Sequence, residues 1–273
     1  MSRRPAPLGA RLANGVMRIS AKLKQAEPEV LGLGAVVREG DTVFDVGAAW
    51  GMYTVPLARL VGPRGRVFSF EPQPRQAAGV RRLRAFMAAK HIEVTQGVVG
   101  PNEGDFTLMV PIRFGLPIYG WAHVVEGTDP TLERTARSKR MRTPMHTVDG
   151  WMAARGGPDP SFLKVDVEGF EPSVIEGATA TIDRARPSLL LEIEDRHLLR
   201  YGTDGNTVAD DVRRRWPEYG MYTWVDGAWK PTTFVSLATR NYLFATQAAL
   251  ARPRGSIRPG SIRRGSISPG GAA

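Results

Sequence analysis

From residue 42 onward the chain alternates two hydrophobic rhythms. Short apolar runs recur: TVFDV at 42–46, RVFSF at 66–70, Ile92–Val98, Ser161–Val167 and Ser188–Ile193. Runs this short and this apolar read as strands buried on both faces. Between them lie segments with helical spacing. Tyr53–Leu60 is one, and Pro74–Lys90 is another, with Ala77, Val80, Leu83, Phe86 and Met87 on its apolar side. A GPRG turn at 62–65 separates the first helix from the second strand. Strands alternating with helices predict right-handed crossovers and a mainly parallel α/β sheet. Near the end, TWVDGAWKP predicts a hairpin turning at Asp226-Gly227, and NYLFATQ a last edge strand.

Three segments break the rhythm and suggest a division of the chain. Residues 27–250 carry the alternating pattern. Within them Asp105–Thr143 is an insertion: a strand-like DFTLMVPI, an aromatic and glycine-rich GLPIYGWAHVV, and a charged ERTARSKRMR. A long insertion in a compact domain is usually functional or disordered, and a substrate wall is the expectation here. Residues 1–26 form a basic arm with Leu12, Val16, Ile19 and Leu23 at helical spacing, which predicts a partly helical segment lying on its own domain or on a membrane surface. Residues 251–273 repeat GSIRP, GSIRR and GSISP; such Gly, Ser, Pro and Arg composition predicts disorder.

Charge sharpens this division. The net charge is +10, but residues 1–24 hold six basic residues and 251–273 five, with no acid in either. The remainder is therefore at −1, so the basicity is no nucleic-acid footprint of the core. Basic tails can bind anionic surfaces weakly, or simply be solvated. The absence of cysteine excludes disulfides, thiolate metal sites and a cysteine nucleophile, and fits a reducing compartment. No apolar run approaches membrane-span length and no apolar segment follows Arg3 and Arg4, so a cytoplasmic location is expected.

In an open parallel sheet, ligands bind beyond the carboxyl ends of the strands. Asp45, Gly47 and Gly51 follow the first strand there, with Tyr53 opening the helix beyond them. Glu71 follows the second strand, twenty residues past Gly51. That spacing suits an acid holding both hydroxyls of a ribose; Glu71-Pro72 also suits a cap for the next helix, and both roles are compatible. The loop reads G-x-x-x-G with Ala49 and Trp50 inside it, neither the G-x-G-x-x-G of a dinucleotide site nor a Walker A sequence. A cofactor without phosphate, such as S-adenosylmethionine, fits such a loop better.

The fourth strand ends FLKVDVEGFE, which sets Asp166, Glu168 and Glu171 at the same edge. They can position or deprotonate a hydroxyl, or bind a divalent cation; Glu171 can instead serve the following helix. The fifth strand ends LLLEIEDRH, with Glu192 and Glu194 on one face. Of the four histidines, His91 and His146 read as structural, whereas His123 and His197 are candidate general bases.

Taken together, DVGAAWGMYT, FSFEPQP, FLKVDVEGFE and LLLEIED resemble the FkbM family of S-adenosylmethionine-dependent methyltransferases, over about Thr42 to His197. The resemblance implies a Rossmann-like class I methyltransferase fold: a mostly parallel seven-stranded sheet, its last strand antiparallel, with helices on both faces. It implies O-methylation of a hydroxyl on a sugar, glycolipid, polysaccharide or secondary metabolite. Carried over, Asp45, Gly47, Ala48, Gly51 and Tyr53 line the methionine end; Glu71 and Pro72 stand at the ribose; Val98 and Val99 border the adenine; Asp166 faces the methyl group. Asp166, Glu168, Glu192, His123 and His197 are the candidate bases, and Tyr119 and Trp121 could stack on a sugar. The residues leave two other readings open: an NAD(P)-dependent oxidoreductase, against which the missing middle glycine argues, and a non-catalytic module binding anionic surfaces through its tails.

Overall fold

The computed structural model describes residues 9, 27–113, 116–117, 122–125 and 138–253. All of the basic arm but residue 9, the tail beyond residue 253, Tyr119 and Trp121 lie outside these residues. Five strands run parallel: β1 (Thr42–Val46), β2 (Arg66–Phe70), β3 (Ile92–Thr95), β9 (Pro160–Val165) and β10 (Ser188–Glu192). Every residue of β1, β9 and β10 is buried, the charged Asp45, Lys164 and Glu192 included. β13 (Asn241–Ala245) runs antiparallel beside β10, followed by β11 (Gly220–Val225) and β12 (Ala228–Thr232). The order is β12-β11-β13-β10-β9-β1-β2-β3. These are the seven strands expected, with the antiparallel one in place, and β12 as an eighth.

Helices cover both faces. On one, α1 (Thr54–Val61) and the 3₁₀ turns of 28–35 pack Leu33, Leu57 and Val61 against Val43, Val67, Phe162 and Leu190. On the other, α3 (Val148–Arg155), α4 (Glu171–Glu176), α5 (Thr179–Ala185) and α6 (Gly205–Arg215) pack Trp151, Val174, Ile182 and Val212 against Phe44, Phe68, Leu163 and Leu189. The alternation of these strand residues between two apolar layers is the period-2 rule in a doubly covered sheet.

Several sequence expectations need correction. NYLFATQ forms β13, but between β10 and β11 rather than at an edge; the hairpin occupies the edge instead. An apolar five-residue strand belongs inside, and all five residues are buried. The hairpin does turn where expected: Asp226 (φ 51°) and Gly227 (φ 77°) are both left-handed, as a two-residue type I′ turn requires. Helix α2 (Pro74–Phe86) stops short of Lys90, because Ala88 turns left-handed (φ 51°), and Phe86 points to solvent.

The stretch 92–98 is not one strand. It breaks at Gln96-Gly97, and β4 (Val98–Val99) joins a second sheet by pairing with β8 (Ser138–His146). β8 in turn pairs antiparallel with β5 (Gly104–Arg113), which also carries β6 (Leu116–Pro117) and β7 (His123–Val124). The two ends of the insertion are thus a long ribbon. Its apolar side, Val98, Leu108, Val110, Val124 and Met145, packs on Phe170 just beyond β9. The charged run reads as loop in sequence, yet its end, SKRMR, is in β8, because only alternate residues there need burial.

Candidate active site

The sheet reverses its winding between β1 and β9, and the loops leaving these strands meet there. Asp166 N–H donates to the Val46 carbonyl at 3.0 Å. Gly47 has φ 84°, and a Cβ on it would stand 1.8 Å from the Asp166 carbonyl oxygen. Glycine is therefore required by backbone contact as well as by conformation. The N–H groups of Gly47 and Ala48 both donate to the Phe70 carbonyl, at 3.0 and 2.9 Å, which ties the first loop to the end of β2.

A cavity opens above this junction, with about 760 Å³ of empty space including its mouth. Gly47, Ala49, Glu71, Pro72, Val98 and Val99 line one side; Asp166, Val167, Glu168 and Phe170 line another. Leu108, His123 and Val124 of the inserted sheet close it. Of the expected cofactor residues, Gly47, Glu71, Pro72, Val98, Val99 and Asp166 are brought together here. Asp45, Ala48, Gly51 and Tyr53 are not in the lining. Asp45 lies beneath it, accepting from Thr54 Oγ1 at 2.5 Å, and burial pushes its carboxyl up to about 6 despite that bond. Gly51 (φ 85°) faces Val80 and Leu83. Trp50 lies over Gly79 of α2 and is exposed, so its bulk is outside the loop and obstructs nothing there.

Glu71 bridges the loop after β1 and the entry to α2, and makes no cap bond to the helix itself. One oxygen accepts from the Gln73 N–H at 2.9 Å, ahead of α2, and the other from the Ala49 N–H at 2.8 Å. Each oxygen keeps a lone pair for a further donor. Burial raises the carboxyl to about 7, against the pull of those two N–H groups. Glu171 is outside the cavity. Its Oε1 accepts from the N–H groups of Val167 (3.0 Å) and Gly169 (3.3 Å), fixing the loop after β9, and burial raises it also to about 7.

Asp166 belongs to a charged network that sequence reasoning missed. Lys164, wholly buried in β9, has its Nζ 3.6 Å from Asp166, 3.0 Å from Asn241 Oδ1 and 5.0 Å from the Tyr53 ring centre. Glu27 accepts from Tyr53 O–H (2.5 Å) and Asn241 Nδ2 (2.9 Å), and Arg240 Nη1 lies 3.3 Å from Glu192. Burial pushes Glu192 strongly up, helped by Asp166 beside it, so that it keeps its proton and shares it with Asp166. Burial would raise Asp166 too, but Lys164, that shared proton and Arg240 together hold it below the ordinary value. Burial opposes the charge on Lys164, yet Asp166, Glu27, Glu192 and Asp45 outweigh it and keep the ammonium charged. Carboxylate oxygens of Glu27, Asp166 and Glu192 approach within 4.8 Å of one another, but the cation among them is Lys164 itself. The cluster is an ion network complete in protein groups. The signal for it was in the sequence: a lysine inside a strand buried on both faces must be paired.

The remaining candidates sort by position. Glu168 lines the cavity, and His197 stands behind it, with Nδ1 2.9 Å from Glu168 Oε2. His123 is on β7 in the opposite wall. His146 packs against Phe70 and Trp151, and His91 Nε2 contacts the Ala58 carbonyl; both are structural, as expected. Among the described residues, no helix is long and apolar enough to cross a membrane.

A family model described as the methyltransferase FkbM domain matches residues 45–219. A protein-L-isoaspartate O-methyltransferase 2 from Archaeoglobus fulgidus is 28% identical over 116 residues, 42% of this chain and 50% of the relative. The chain thus spans half the length of that curated relative. Among solved structures, a methyltransferase FkbM from Methylobacillus flagellatus KT is 17% identical, with 75% of this chain and 43% of that one covered, at a TM-score of 0.45. A SAM-dependent methyltransferase from Aquifex aeolicus is 13% identical, with 86% and 96% covered, at a TM-score of 0.41.

Proposed function

The chain belongs to the FkbM methyltransferase family, and from that premise we propose that it transfers a methyl group from S-adenosylmethionine to a hydroxyl oxygen of a sugar-like acceptor. One observation carries the choice of cofactor. The charged side chains lining the cavity among the described residues are Glu71, Asp166 and Glu168, with no lysine or arginine. Carboxylates alone repel a diphosphate and attract a sulfonium and an ammonium. A nicotinamide dinucleotide is disfavoured on the same ground.

The residues fit that ligand. Glu71, pinned by two backbone N–H groups, is the receptor for a ribose diol. Val98 and Val99 offer an apolar border for the adenine, and Gly47 lets the loop lie against the β9 turn. Asp166, held ionised, stabilises positive charge near the reacting carbon. When bound, the sulfonium supplies an activated methyl, its carbon–sulfur pair staying on sulfur as the new carbon–oxygen bond forms. What the protein must add is alignment and a destination for the hydroxyl proton. That need, met by acids at the cavity wall, supports oxygen as the acceptor atom. The acceptor is a glycan, glycolipid or other polyhydroxylated metabolite, brought in against Leu108, His123 and Val124 of the inserted sheet. Association with an anionic surface through the basic tails would be a separate, salt-sensitive property.

Calorimetric titration with S-adenosylhomocysteine and with NADH tests the cofactor. Saturable binding of the first alone is expected; binding of NADH alone, or of neither, removes the reading. Incubation with methyl-labelled cofactor and a panel of sugars and polysaccharides tests the acceptor, with label expected in an alkali-stable ether.

A further inference from the structure

We propose that Glu168 and His197 form a proton-accepting pair: Glu168 takes the acceptor's hydroxyl proton at the cavity wall and His197 receives it from behind. The proposal rests on the methyl-transfer reading and assigns the proton within it. Three features of the structure support it.

The turn that presents Glu168 is strained and deliberately held. Glu168 has φ 58° and Gly169 φ 100°, two successive left-handed residues. For a glutamate this is a strained conformation, and such strain persists where the surroundings enforce it, often at functional sites. Here Glu171 takes the N–H groups on either side of Glu168, and Arg200 Nη1 donates to the Glu168 carbonyl at 3.2 Å. Gly169 lies so close to the next element that a Cβ would stand 2.6 Å from the His197 carbonyl. A loop clamped at four points keeps one carboxylate in the wall of the cavity.

His197 is buried, and its ring makes no hydrogen bond among the described residues. Its Nδ1 is nevertheless 2.9 Å from Glu168 Oε2, an ion-pair distance without hydrogen-bond alignment. A buried imidazole left unsatisfied is costly, whereas catalytic bonds commonly align only in the loaded site.

The neighbouring charges are committed elsewhere. Asp166 is engaged by Lys164 and Glu192, and Glu171 by backbone. On the helix of His197, Arg196 pairs with Glu194, and Asp195 accepts from the Gly205 N–H. Arg200 faces the loop carbonyl, and His123 stands across the cavity. The step balances simply. The acceptor O–H bond breaks, its electron pair goes to the new bond with the methyl carbon, and the proton moves to a Glu168 oxygen. Passage on to His197 Nδ1 leaves a carboxylate–imidazolium pair, which releases the proton to solvent before the next turnover.

Two measurements test the pair. Ring ¹⁵N–¹H spectra of the uniformly labelled full chain, without any ligand, should show the His197 nitrogens responding to Glu168→Gln while His91 stays in place; an unmoved His197 overturns the proposal. In the methyl-transfer assay with the sugar panel, Glu168→Gln should lower kcat about 100-fold, with Glu168→Asp recovering part of it. His197→Gln should lower kcat less than Glu168→Gln does and leave KM unchanged. Full activity in a folded Glu168→Gln protein overturns the proposal, and the spectra decide if His197→Gln does not fold. A wild-type chain that binds no S-adenosylhomocysteine would instead sink the methyl-donor reading, and leaves the spectral test standing.

Discussion

All six residues of β9 are buried, while β8, with nine, buries only Thr143 and Met145. The two strands stand for two sheets on opposite terms. The parallel sheet is sealed by helices on both faces and carries its charges as a closed network around Lys164. The inserted ribbon is wet on one side, and its other side is spent on Phe170 and the cavity wall. The parallel sheet's half of the cavity is therefore tied to the core, and the ribbon's half is backed by a strand with one exposed face. On the proposed reading, the ribbon's wall can vary without disturbing the loops at the ends of β1 and β9.

This contrast can be broken most severely at Gly47. Gly47→Ala sets a Cβ against the Asp166 carbonyl in a left-handed position, and a loss of roughly 4 kcal/mol or more is expected, measured by chemical denaturation. Lys164→Met comes next. It strips the cation from a buried acid cluster and should cost about 3–5 kcal/mol at neutral pH. A Met variant as stable as wild type would show the network to be dispensable.

Glu71→Gln should spare the fold and weaken S-adenosylhomocysteine binding by about 10- to 100-fold, read by calorimetry. The same variant has a pH signature. Glu71 and Glu171 titrate near 7 in the fold against an ordinary 4.5, so the folded state binds more protons in that window. Stability must then fall as pH rises from about 4.5 to about 7, and each Gln variant should flatten that slope by up to about 1 kcal/mol per unit. At the other extreme stands Arg142→Ala in β8, whose pairing with Asp105 is 3.5 Å and exposed on both sides. Its effect should stay within about 0.5 kcal/mol; a larger one would mean that the ribbon is less expendable than its exposure implies.

The parallel core was legible because its signals are local. A strand buried on both faces is an apolar run, and β1 and β2 begin and end where their sequences say. The ribbon was only half legible. DFTLMVPI reads as a strand, but its partner SKRMR is masked by charge, since one face of an antiparallel ribbon may stay in water. Gly47 and Glu71 were legible by spacing. Tyr53 and Asp45 were placed one layer too high, because spacing along a chain does not tell which side of a loop a residue takes. Lys164, Glu27 and Asn241 come together from three distant segments, and only the strand order makes them neighbours.

Arg38 holds the last described residues to the start of the sheet. Its guanidinium donates to the carbonyls of Arg252 (2.6 Å) and Pro253 (3.2 Å), and Arg252 reaches Asp41, one residue before β1, at 2.6 Å. The cavity opens at the carboxyl ends of the strands, so this clasp is at the far pole of the molecule. A surface that gripped the molecule at this pole would leave the mouth of the cavity turned outward.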